Sequence, residues 1–230
     1  MRIVVLGATG PTGRRLTDQA LAAGHRVTAV ARRPENLPPR AGLTAVAADA
    51  GDPEAVDAAV AGADAVLSAL GARPGRRPVT VYSAGARNVI TAMERHGVRR
   101  LLAISSSVND PAWRPSGAFL FNHVLDPYVN RVIARTAHED MRRMEALIRA
   151  SGLDWTIVRP SGLFDTPAVT DYRLAEDSAD GVYTARADLA ASMLRELTED
   201  RFVRRAMGVV TTDVRPSLPR LIWNEAVRKK

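Results

Sequence analysis

Three glycines at fixed spacing near the start of the chain constrain its fold more than any other feature. Gly7, Gly10 and Gly13 directly follow the apolar run Ile3–Leu6 and lead into a segment with helical periodicity. A strand that turns through glycines into a helix leaves backbone N–H groups facing an anion such as a diphosphate. A purely structural turn is the alternative, and the strand before it and the helix after it favour a dinucleotide site.

The residues of this turn have distinct predicted roles. Gly7 permits the tight turn, Gly10 lets a pyrophosphate approach the backbone, and Gly13 lets the helix pack against the strand. Pro11 suits the first helical turn, where a backbone N–H would have no intrahelical partner. The spacing is G-x-x-G-x-x-G rather than G-x-G-x-x-G. The sequence thus predicts a cofactor-binding turn over residues 7–13.

Six short apolar runs rich in branched residues predict the strands of a parallel sheet. Their continuous apolarity is typical of strands that are buried on both faces. Helical patterns lie between them. This alternation predicts a doubly wound α/β sheet of the Rossmann type, as one domain over residues 1–212 with a basic tail over 213–230. The six runs are Ile3–Leu6, Val27–Ala31, Leu43–Ala48, Ala65–Leu70, Leu101–Ser105 and Trp155–Val158.

Two longer segments interrupt this alternation. Residues 108–137 and 160–187 each follow a predicted strand, so we expect both at the carboxyl edge of the sheet, where ligands bind in such folds. The first is too long for a plain loop and is expected to contain short helical pieces, while the second is expected to be irregular. We interpret both as segments that cover the substrate.

The end of the second predicted strand indicates which dinucleotide is bound. A cofactor with a free 2′-hydroxyl group is recognised by an acidic residue about 20 residues after the glycines, and this chain has Arg32 and Arg33 there. A permanently charged guanidinium suits a 2′-phosphate, so NADP(H) is favoured over NAD(H), with a solvated loop as the alternative. Asp49 is expected either to bond the adenine amino group or to cap the helix before Pro53.

Composition excludes several kinds of chemistry. The chain has no cysteine, which excludes disulfides, thiolate metal sites and cysteine nucleophiles. The only lysines are Lys229 and Lys230, and Tyr128 is followed at the fourth position by Val132. A Schiff-base lysine and a Tyr-x-x-x-Lys catalytic pair are therefore not expected, and no residue cluster predicts a metal site.

The net charge of +7 is concentrated near the end of the chain. Residues 201–230 hold eight basic and two acidic residues, a balance of +6, so the rest is nearly neutral and nucleic-acid binding is not expected to be the main role. No apolar run reaches the roughly 18 residues of a membrane span. Gly7 follows too soon for a signal peptide, so we expect a cytoplasmic protein with a small-molecule partner.

Together these motifs resemble the NmrA-like branch of the atypical short-chain dehydrogenase/reductase family. Within that family the likeness is greatest to biliverdin-IXβ and flavin reductases. The resemblance implies a Rossmann fold that binds NADP(H). The matching segments are Gly7–Gly13, Ala31-Arg32, Gly71-Ala72-Arg73, Ser83–Gly97, Ala103–Ser106 and Ser151–Pro160.

The resemblance also implies roles for individual residues. Ser106 would face the site of hydride transfer, and Pro160 would cover the nicotinamide. Where flavin reductases have a histidine and a cysteine, this chain has Met141 and Ile104, so the acceptor pocket is the part that transfers least. The resemblance places Gly7, Thr9, Gly10, Thr12 and Gly13 at the pyrophosphate, Arg32 at the 2′-phosphate, Asp49 near adenine, and Leu70, Gly71 and Arg73 on the ribose and nicotinamide side. Further residues expected to contact the cofactor are Pro11, Arg33, Ala50 and Ser105.

Polar residues at the end of the fifth predicted strand are candidates for the reaction centre. Hydride transfer from a nicotinamide to a conjugated acceptor needs mainly stacking and orientation, and Ser105, Ser106, Ser107 and Asn109 could provide this. The serine run could instead satisfy backbone groups at a strand end.

Further candidates lie in and around residues 108–137. His123, His138 and Tyr128 are possible proton donors, although a lone histidine is more often structural. Aromatic residues of this segment form either a stacking lid or packed loop core. Arg159 is expected to be structural and Glu145 to pair locally. The aromatic residues are Trp113, Phe119, Phe121 and Tyr128.

These observations predict an NADPH-dependent reductase of a planar, flavin- or quinone-like acceptor that works without a Tyr-Lys pair. One alternative is a ketoreductase, epimerase or dehydratase of a secondary metabolite. Another is a regulator that senses NADP(H) without turnover, in which the tail segment Leu218–Trp223 would dock a partner or pack on the domain. The oligomeric state is not indicated by the sequence.

Overall fold

A large sheet forms the centre of the computed structural model, which describes residues 1–72, 78–116 and 134–214. Within these residues, its strands and those of a small second sheet alternate with five helices. The strands are β1 (Arg2–Leu6), β2 (Arg26–Ala31), β3 (Leu43–Ala47), β4 (Ala65–Ser68), β5 (Arg100–Ile104), β6 (Asp154–Pro160), β7 (Gly162–Phe164), β8 (Tyr172–Glu176), β9 (Tyr183–Ala185) and β10 (Arg205–Thr211). The helices are α1 (Pro11–Ala22), α2 (Pro53–Val60), α3 (Val81–His96), α4 (Arg135–Ala150) and α5 (Arg186–Glu199).

The order of strands in the large sheet is β3-β2-β1-β4-β5-β6-β10-β8. All neighbours are parallel except β8, which runs antiparallel to β10. The order 3-2-1-4-5-6 is that of the Rossmann fold. Strands β2 and β3 are added on one side of β1, and the chain then crosses to add β4, β5 and β6 on the other side. The predicted fold is confirmed, and each of the six predicted apolar runs coincides with one of the strands β1–β6.

Two apolar layers sandwich the sheet and account for the helical periodicities in the sequence. On one face Val56, Met93 and Ile148, from α2, α3 and α4, pack on the strands, and on the other Leu16 and Met193, from α1 and α5, do so. All of these side chains are fully buried. Each such burial stabilises the fold by about 1.5–3 kcal/mol, so the helices are held by their apolar stripes.

Glycines lie just beyond the ends of two helices. Helix α3 ends at His96, and Gly97 adopts a left-handed φ of +68° that satisfies the last carbonyls. Helix α1 ends at Ala22, before Gly24. Ala23 lies outside the helix and is exposed.

The prediction that residues 160–187 are irregular was wrong. Strands β7 and β9 pair with each other, and β8 joins the edge of the large sheet through β10. Strand β8 is half-exposed because only one of its edges is paired, and its mixed sequence Tyr-Arg-Leu-Ala-Glu carries no continuous apolar signal. This segment therefore extends the sheet as well as adjoining its carboxyl edge.

The prediction for residues 108–137 can be compared only in part. One short 3₁₀ turn, Ser107–Asn109, follows β5, and α4 already begins at Arg135. Residues 117–133 lie outside the described part. Within residues 1–72, 78–116 and 134–214, no helix is both long and apolar enough to cross a bilayer.

Candidate functional site

The glycine turn between β1 and α1 leaves no room for side chains at two positions. Gly7 has a φ of +73°, and a Cβ there would lie 2.4 Å from the carbonyl oxygen of Ala69 at the end of β4. A Cβ on Gly13 would lie 2.2 Å from the Gly7 carbonyl oxygen. The turn is closed by a 2.9 Å hydrogen bond from Gly10 N–H to that same carbonyl. Close backbone packing thus requires glycine at positions 7 and 13, in agreement with the predicted tight turn and close helix packing.

The start of α1 presents unpaired backbone donors. The first helical hydrogen bond runs from Arg14 N–H to the Gly10 carbonyl, and Pro11 has no N–H. The N–H groups of Thr12 and Gly13 have no hydrogen-bond partner in the described chain, and no acidic residue occupies the first turn. These donors and the positive end of the helix dipole fit the diphosphate of a dinucleotide.

Arg14 connects the glycine turn to the loop that follows β2. Its Nε donates to the Thr9 carbonyl at 3.0 Å and its Nη1 donates to the Asn36 carbonyl at 2.9 Å. This bridge holds the phosphate-binding turn beside the loop that contains Arg32 and Arg33. Sequence reasoning missed Arg14, because its partners are carbonyl oxygens that no sequence pattern identifies.

Arg32 and Arg33 lie just beyond β2, where the sequence predicted them. Both are exposed, and neither forms an ion pair within the described residues. In contrast, Arg40 in the same loop pairs with Asp18 at 2.6 Å. Two guanidinium groups without internal partners therefore stand beside the glycine turn.

The strand β3 ends beside the predicted adenine position. The Asp49 carboxylate accepts from Gly51 N–H at 2.8 Å. The alternative that Asp49 caps α2 was wrong, because Asp52 is the capping residue and accepts from Glu54 and Ala55 N–H. Asp52 is the N-cap because it immediately precedes the first helical residue, Pro53.

Ala50 and Leu70 are held by α3, through two residues that the sequence did not single out. Asn88 donates to the Ala50 carbonyl at 2.9 Å. Gly85 lets the helix approach, since a Cβ there would lie 2.6 Å from Leu70 Cδ1. The repeated small residues of α3 were the available signal for this close contact.

The loop after β4 passes over α3. Gly71 is exposed, and Ala72 N–H donates to the Tyr82 hydroxyl oxygen at 3.0 Å. Burial, and to a smaller extent the nearby Asp140 charge, raises the pKa of Tyr82, so its phenol stays neutral. Arg73, the third predicted residue here, lies outside the described residues.

Ser105 and Ser106, at the end of β5, differ in environment. Ser105 is buried and donates to Glu145 Oε1 at 2.7 Å, while its oxygen accepts from Asn109 Nδ2 at 3.0 Å. Ser106 is half-buried, and its oxygen accepts from Val108 N–H at 3.3 Å. The hydroxyl hydrogen of Ser106 has no acceptor in the described chain, so it remains available to a ligand.

Arg159 on β6 binds Glu145, the residue that accepts the hydrogen bond from Ser105. It bonds both oxygens of Glu145 and lies 3.9 Å from Asp110 and 3.8 Å from Asp177. Burial opposes its charge, but the hydrogen bond to Glu145 and the surrounding carboxylates outweigh burial and raise the pKa of Arg159. Glu145 therefore pairs across the fold rather than only locally, and the structural interpretation of Arg159 fits this geometry.

The remaining candidates are Pro160 on the sheet edge, two histidines, and a set of aromatic residues. Pro160 ends β6 and is buried. His138 is buried within the first turns of α4. Trp113 is 8% exposed and donates to the Ala179 carbonyl at 3.2 Å, so it packs as core rather than as an open lid. His123, Tyr128, Phe119, Phe121 and the tail segment Leu218–Trp223 lie outside the described residues.

The sheet order brings the predicted positions together. Each of these positions lies at the carboxyl end of one of five parallel strands that are neighbours in the sheet. The glycine turn follows β1, Arg32 follows β2, Gly71 follows β4, Ser106 follows β5, and Pro160 ends β6. Their carboxyl ends therefore form one edge, with the anion-binding helix start near its middle.

Residues 7–200 match a protein-family model described as NAD(P)H-binding. The chain belongs to this NAD(P)H-binding family. The match covers the whole of the edge just described, from the glycine turn to the segments after β6. The predicted family and nicotinamide-dinucleotide binding are thereby confirmed.

Two curated relatives extend the comparison. The chain is 28% identical over 225 residues to the uncharacterized sugar epimerase YhfK of Bacillus subtilis, an alignment covering 93% of this chain and 95% of that protein. It is 32% identical over 161 residues to (4-alkanoyl-5-oxo-2,5-dihydrofuran-3-yl)methyl phosphate reductase of Streptomyces griseus, covering 69% of this chain and 46% of that protein.

Solved structures share the fold. A short-chain dehydrogenase/reductase of Veillonella parvula in complex with NADP superposes with a TM-score of 0.78 at 20% identity, over 94% of this chain and 99% of that one. ChuY, an anaerobillin reductase of Escherichia coli O157:H7, gives 0.73 at 22% identity, over 94% and 100%. At these identities the likeness establishes the fold.

Proposed function

We propose that the protein is an NADPH-dependent reductase of a planar, conjugated acceptor of the flavin or quinone type. One observation carries this proposal: within the described residues, two arginines without an ion-pair partner after β2, unpaired backbone donors at the start of α1 after β1, and an available Ser106 hydroxyl after β5 follow one another along a single sheet edge. That spatial order matches the order of 2′-phosphate, diphosphate and reacting ring in a bound dinucleotide.

The choice of NADPH over NADH rests on charge at the end of β2. Arg32 and Arg33 have no carboxylate partner in the described chain, and the first acidic side chain after them is Glu35. A 2′-hydroxyl would offer these guanidinium groups no charge, whereas a 2′-phosphate would accept charge-assisted hydrogen bonds. The Arg14 bridge keeps this loop in place before the cofactor arrives.

The choice of acceptor rests on the absence of a Tyr-Lys pair. Alcohol–ketone chemistry of the classical kind needs a tyrosine activated by lysine, and the only lysines are Lys229 and Lys230. The bound cofactor supplies a hydride, and a conjugated acceptor spreads the resulting charge over its own ring system. The chain then has only to orient the rings and exclude competing reactions. The proton comes from water or from the Ser106 hydroxyl.

The relatives are compatible with this assignment. The Streptomyces griseus protein is named a reductase, and ChuY is named an anaerobillin reductase. The name of YhfK favours a second candidate, an epimerase. An epimerase of this fold must remove a proton or hydride from a saturated carbon and return it, and the lysine-free body of the chain lacks the usual activated tyrosine for that step.

The test is oxidation of NADPH, followed at 340 nm, with riboflavin, FMN and menadione as acceptors. We expect acceptor-dependent turnover with NADPH oxidised one-to-one with acceptor reduced. Calorimetry with NADP⁺ runs in parallel. Binding of NADP⁺ without turnover of any planar acceptor would support the regulator alternative, whereas interconversion of a nucleotide sugar without net NADPH oxidation would support the epimerase.

A further inference from the structure

One buried oxygen beside the proposed reaction centre has no partner. Asn109 ends the short turn after β5, four residues beyond Ser105, and is 7% exposed. Its Oδ1 is buried, and no hydrogen-bond donor of the described chain reaches it. Buried polar atoms in native proteins are almost always paired, and an exception at a ligand-binding edge calls for an explanation.

The orientation of the Asn109 amide follows from its neighbours. Glu145 faces the Arg159 guanidinium as a carboxylate and can only accept hydrogen bonds, so the Ser105 hydroxyl must donate to it. The Ser105 oxygen is then an acceptor, and Asn109 meets it with its amide nitrogen at 3.0 Å. A rotated amide would set two acceptors against each other. The amide oxygen is therefore the atom left without a donor.

We propose that Asn109 Oδ1 accepts a hydrogen bond from an imide or lactam N–H of the hydride acceptor, an inference that rests on the proposed function. The residue stands at the carboxyl end of β5, next to Ser106, and its side chain is fixed by Ser105. A fixed, neutral acceptor in a dry environment selects ligands that bring a donor and rejects those that lack one. Flavins carry an imide N–H and linear tetrapyrroles carry lactam N–H groups, whereas simple quinones carry neither. The preferred substrates are therefore N–H-bearing planar acceptors.

The matched pair lumiflavin and 3-methyllumiflavin tests this proposal, because the two differ only at the imide nitrogen. Binding is measured by quenching of flavin fluorescence on the NADP⁺ complex, and turnover with NADPH is measured separately. We expect lumiflavin to bind about tenfold to a hundredfold more tightly, the range of one buried hydrogen bond. We expect Asn109→Leu to abolish this preference by weakening lumiflavin binding, while Gln19→Leu, a distant amide-to-leucine control on α1, keeps it.

The outcomes separate this proposal from the proposed function. Equal affinity for the two flavins, binding of neither, or a preference that survives in Asn109→Leu would overturn the role of Asn109. The first of these needs no variant, so it stands even if Asn109→Leu does not fold. A preference in binding with no NADPH-driven turnover of lumiflavin, riboflavin, FMN or menadione would instead support the Asn109 contact and refute the reductase.

Discussion

The Glu145 carboxylate on α4 accepts two hydrogen bonds from the Arg159 guanidinium on β6, at 3.2 Å from Nε and 2.7 Å from Nη2. Both side chains are buried, with 7% and 8% exposure. Through Ser105 and Asn109 the pair also fixes the end of β5. The site at the carboxyl edge therefore rests on a charged pair inside the protein.

Removal of one partner of this pair leaves the other charge buried and uncompensated. We therefore expect Glu145→Ala to lower the free energy of unfolding by about 3–5 kcal/mol, measured by urea denaturation. The control is Glu139→Ala on the same helix, which breaks the exposed pair with Arg135 at 2.8 Å. Its loss should be far smaller because solvent screens that pair. Equal losses in the two variants would contradict the assignment.

The close packing at Gly13 predicts a sharp effect of one methyl group. A Cβ at this position would lie 2.2 Å from the Gly7 carbonyl oxygen, so the turn must open to admit it. We expect Gly13→Ala to weaken NADPH binding at least tenfold in calorimetry, because the backbone donors of Thr12 and Gly13 shift with the turn. Gly152→Ala is the control, since nothing lies within 4 Å of its Cβ position. Unchanged NADPH affinity in Gly13→Ala would show that the turn does not hold the cofactor.

We expect Arg32 to set the preference for NADPH over NADH. Loss of one charge-assisted hydrogen bond to a 2′-phosphate should reduce the ratio of kcat/KM for NADPH over NADH by about tenfold to a hundredfold in Arg32→Ala. Arg26→Ala, which removes an exposed arginine from the opposite end of the same strand, should leave the ratio unchanged. A ratio that stays constant in Arg32→Ala would exclude this residue from the 2′-phosphate site.

We expect Glu196 to make the free energy of unfolding depend on pH. This carboxyl accepts from Phe202 N–H at 2.6 Å and from Arg100 at 3.1 Å, and burial raises its pKa above the ordinary value of 4.5. Between the unfolded-state and folded-state pKa values, the folded protein keeps a proton that the unfolded chain has lost. The contribution of Glu196 to the free energy of unfolding is therefore fully present below pH 4.5 and falls as pH rises through the folded-state pKa.

The measurement compares wild type with Glu196→Gln, which keeps the shape of the side chain but does not titrate. We expect the free energy of unfolding of wild type, relative to the variant, to decline as pH rises from about 4.5 and then to level off. The difference cancels the opposing contributions of Asp64 and Asp154, whose pKa values are lowered mainly by hydrogen bonds from Arg2 and Arg99. A difference that rises with pH would refute the assignment to Glu196.

Much of the fold was predictable because its signals are local. The glycine turn was identified from spacing, and the strands β1–β6 from continuous apolar runs. Strand β8 and the short strands β7 and β9 were missed because their residues are polar or half-exposed and form strands only beside a partner. The α5–β10 region was likewise not predicted as a unit, although β10 extends the sheet between β6 and β8.

The start of α3 illustrates the same limit. Thr80 precedes the helix and makes no side-chain cap. The cap comes from Asp140 on α4, which accepts from Tyr82 N–H at 2.9 Å and Ser83 N–H at 3.2 Å. A capping box is a sequence signal only when its residues are neighbours in the chain, and these partners are separated by 57 and 58 residues.

The sequence by itself determined the glycine turn, because a glycine turn between an apolar strand and a helix specifies its own backbone geometry, and from that turn it predicted a dinucleotide site. It also determined that Lys229 and Lys230 are the only lysines, so no Tyr-x-x-x-Lys motif occurs. Only the tertiary structure decided which polar residues are occupied and which are available. The Ser105 hydroxyl donates to Glu145, whereas the Ser106 hydroxyl hydrogen and the buried Asn109 Oδ1 have no hydrogen-bond partner in the described part of the chain. That distinction depends on hydrogen bonds across three separate elements, and such bonds exist only once the chain has folded.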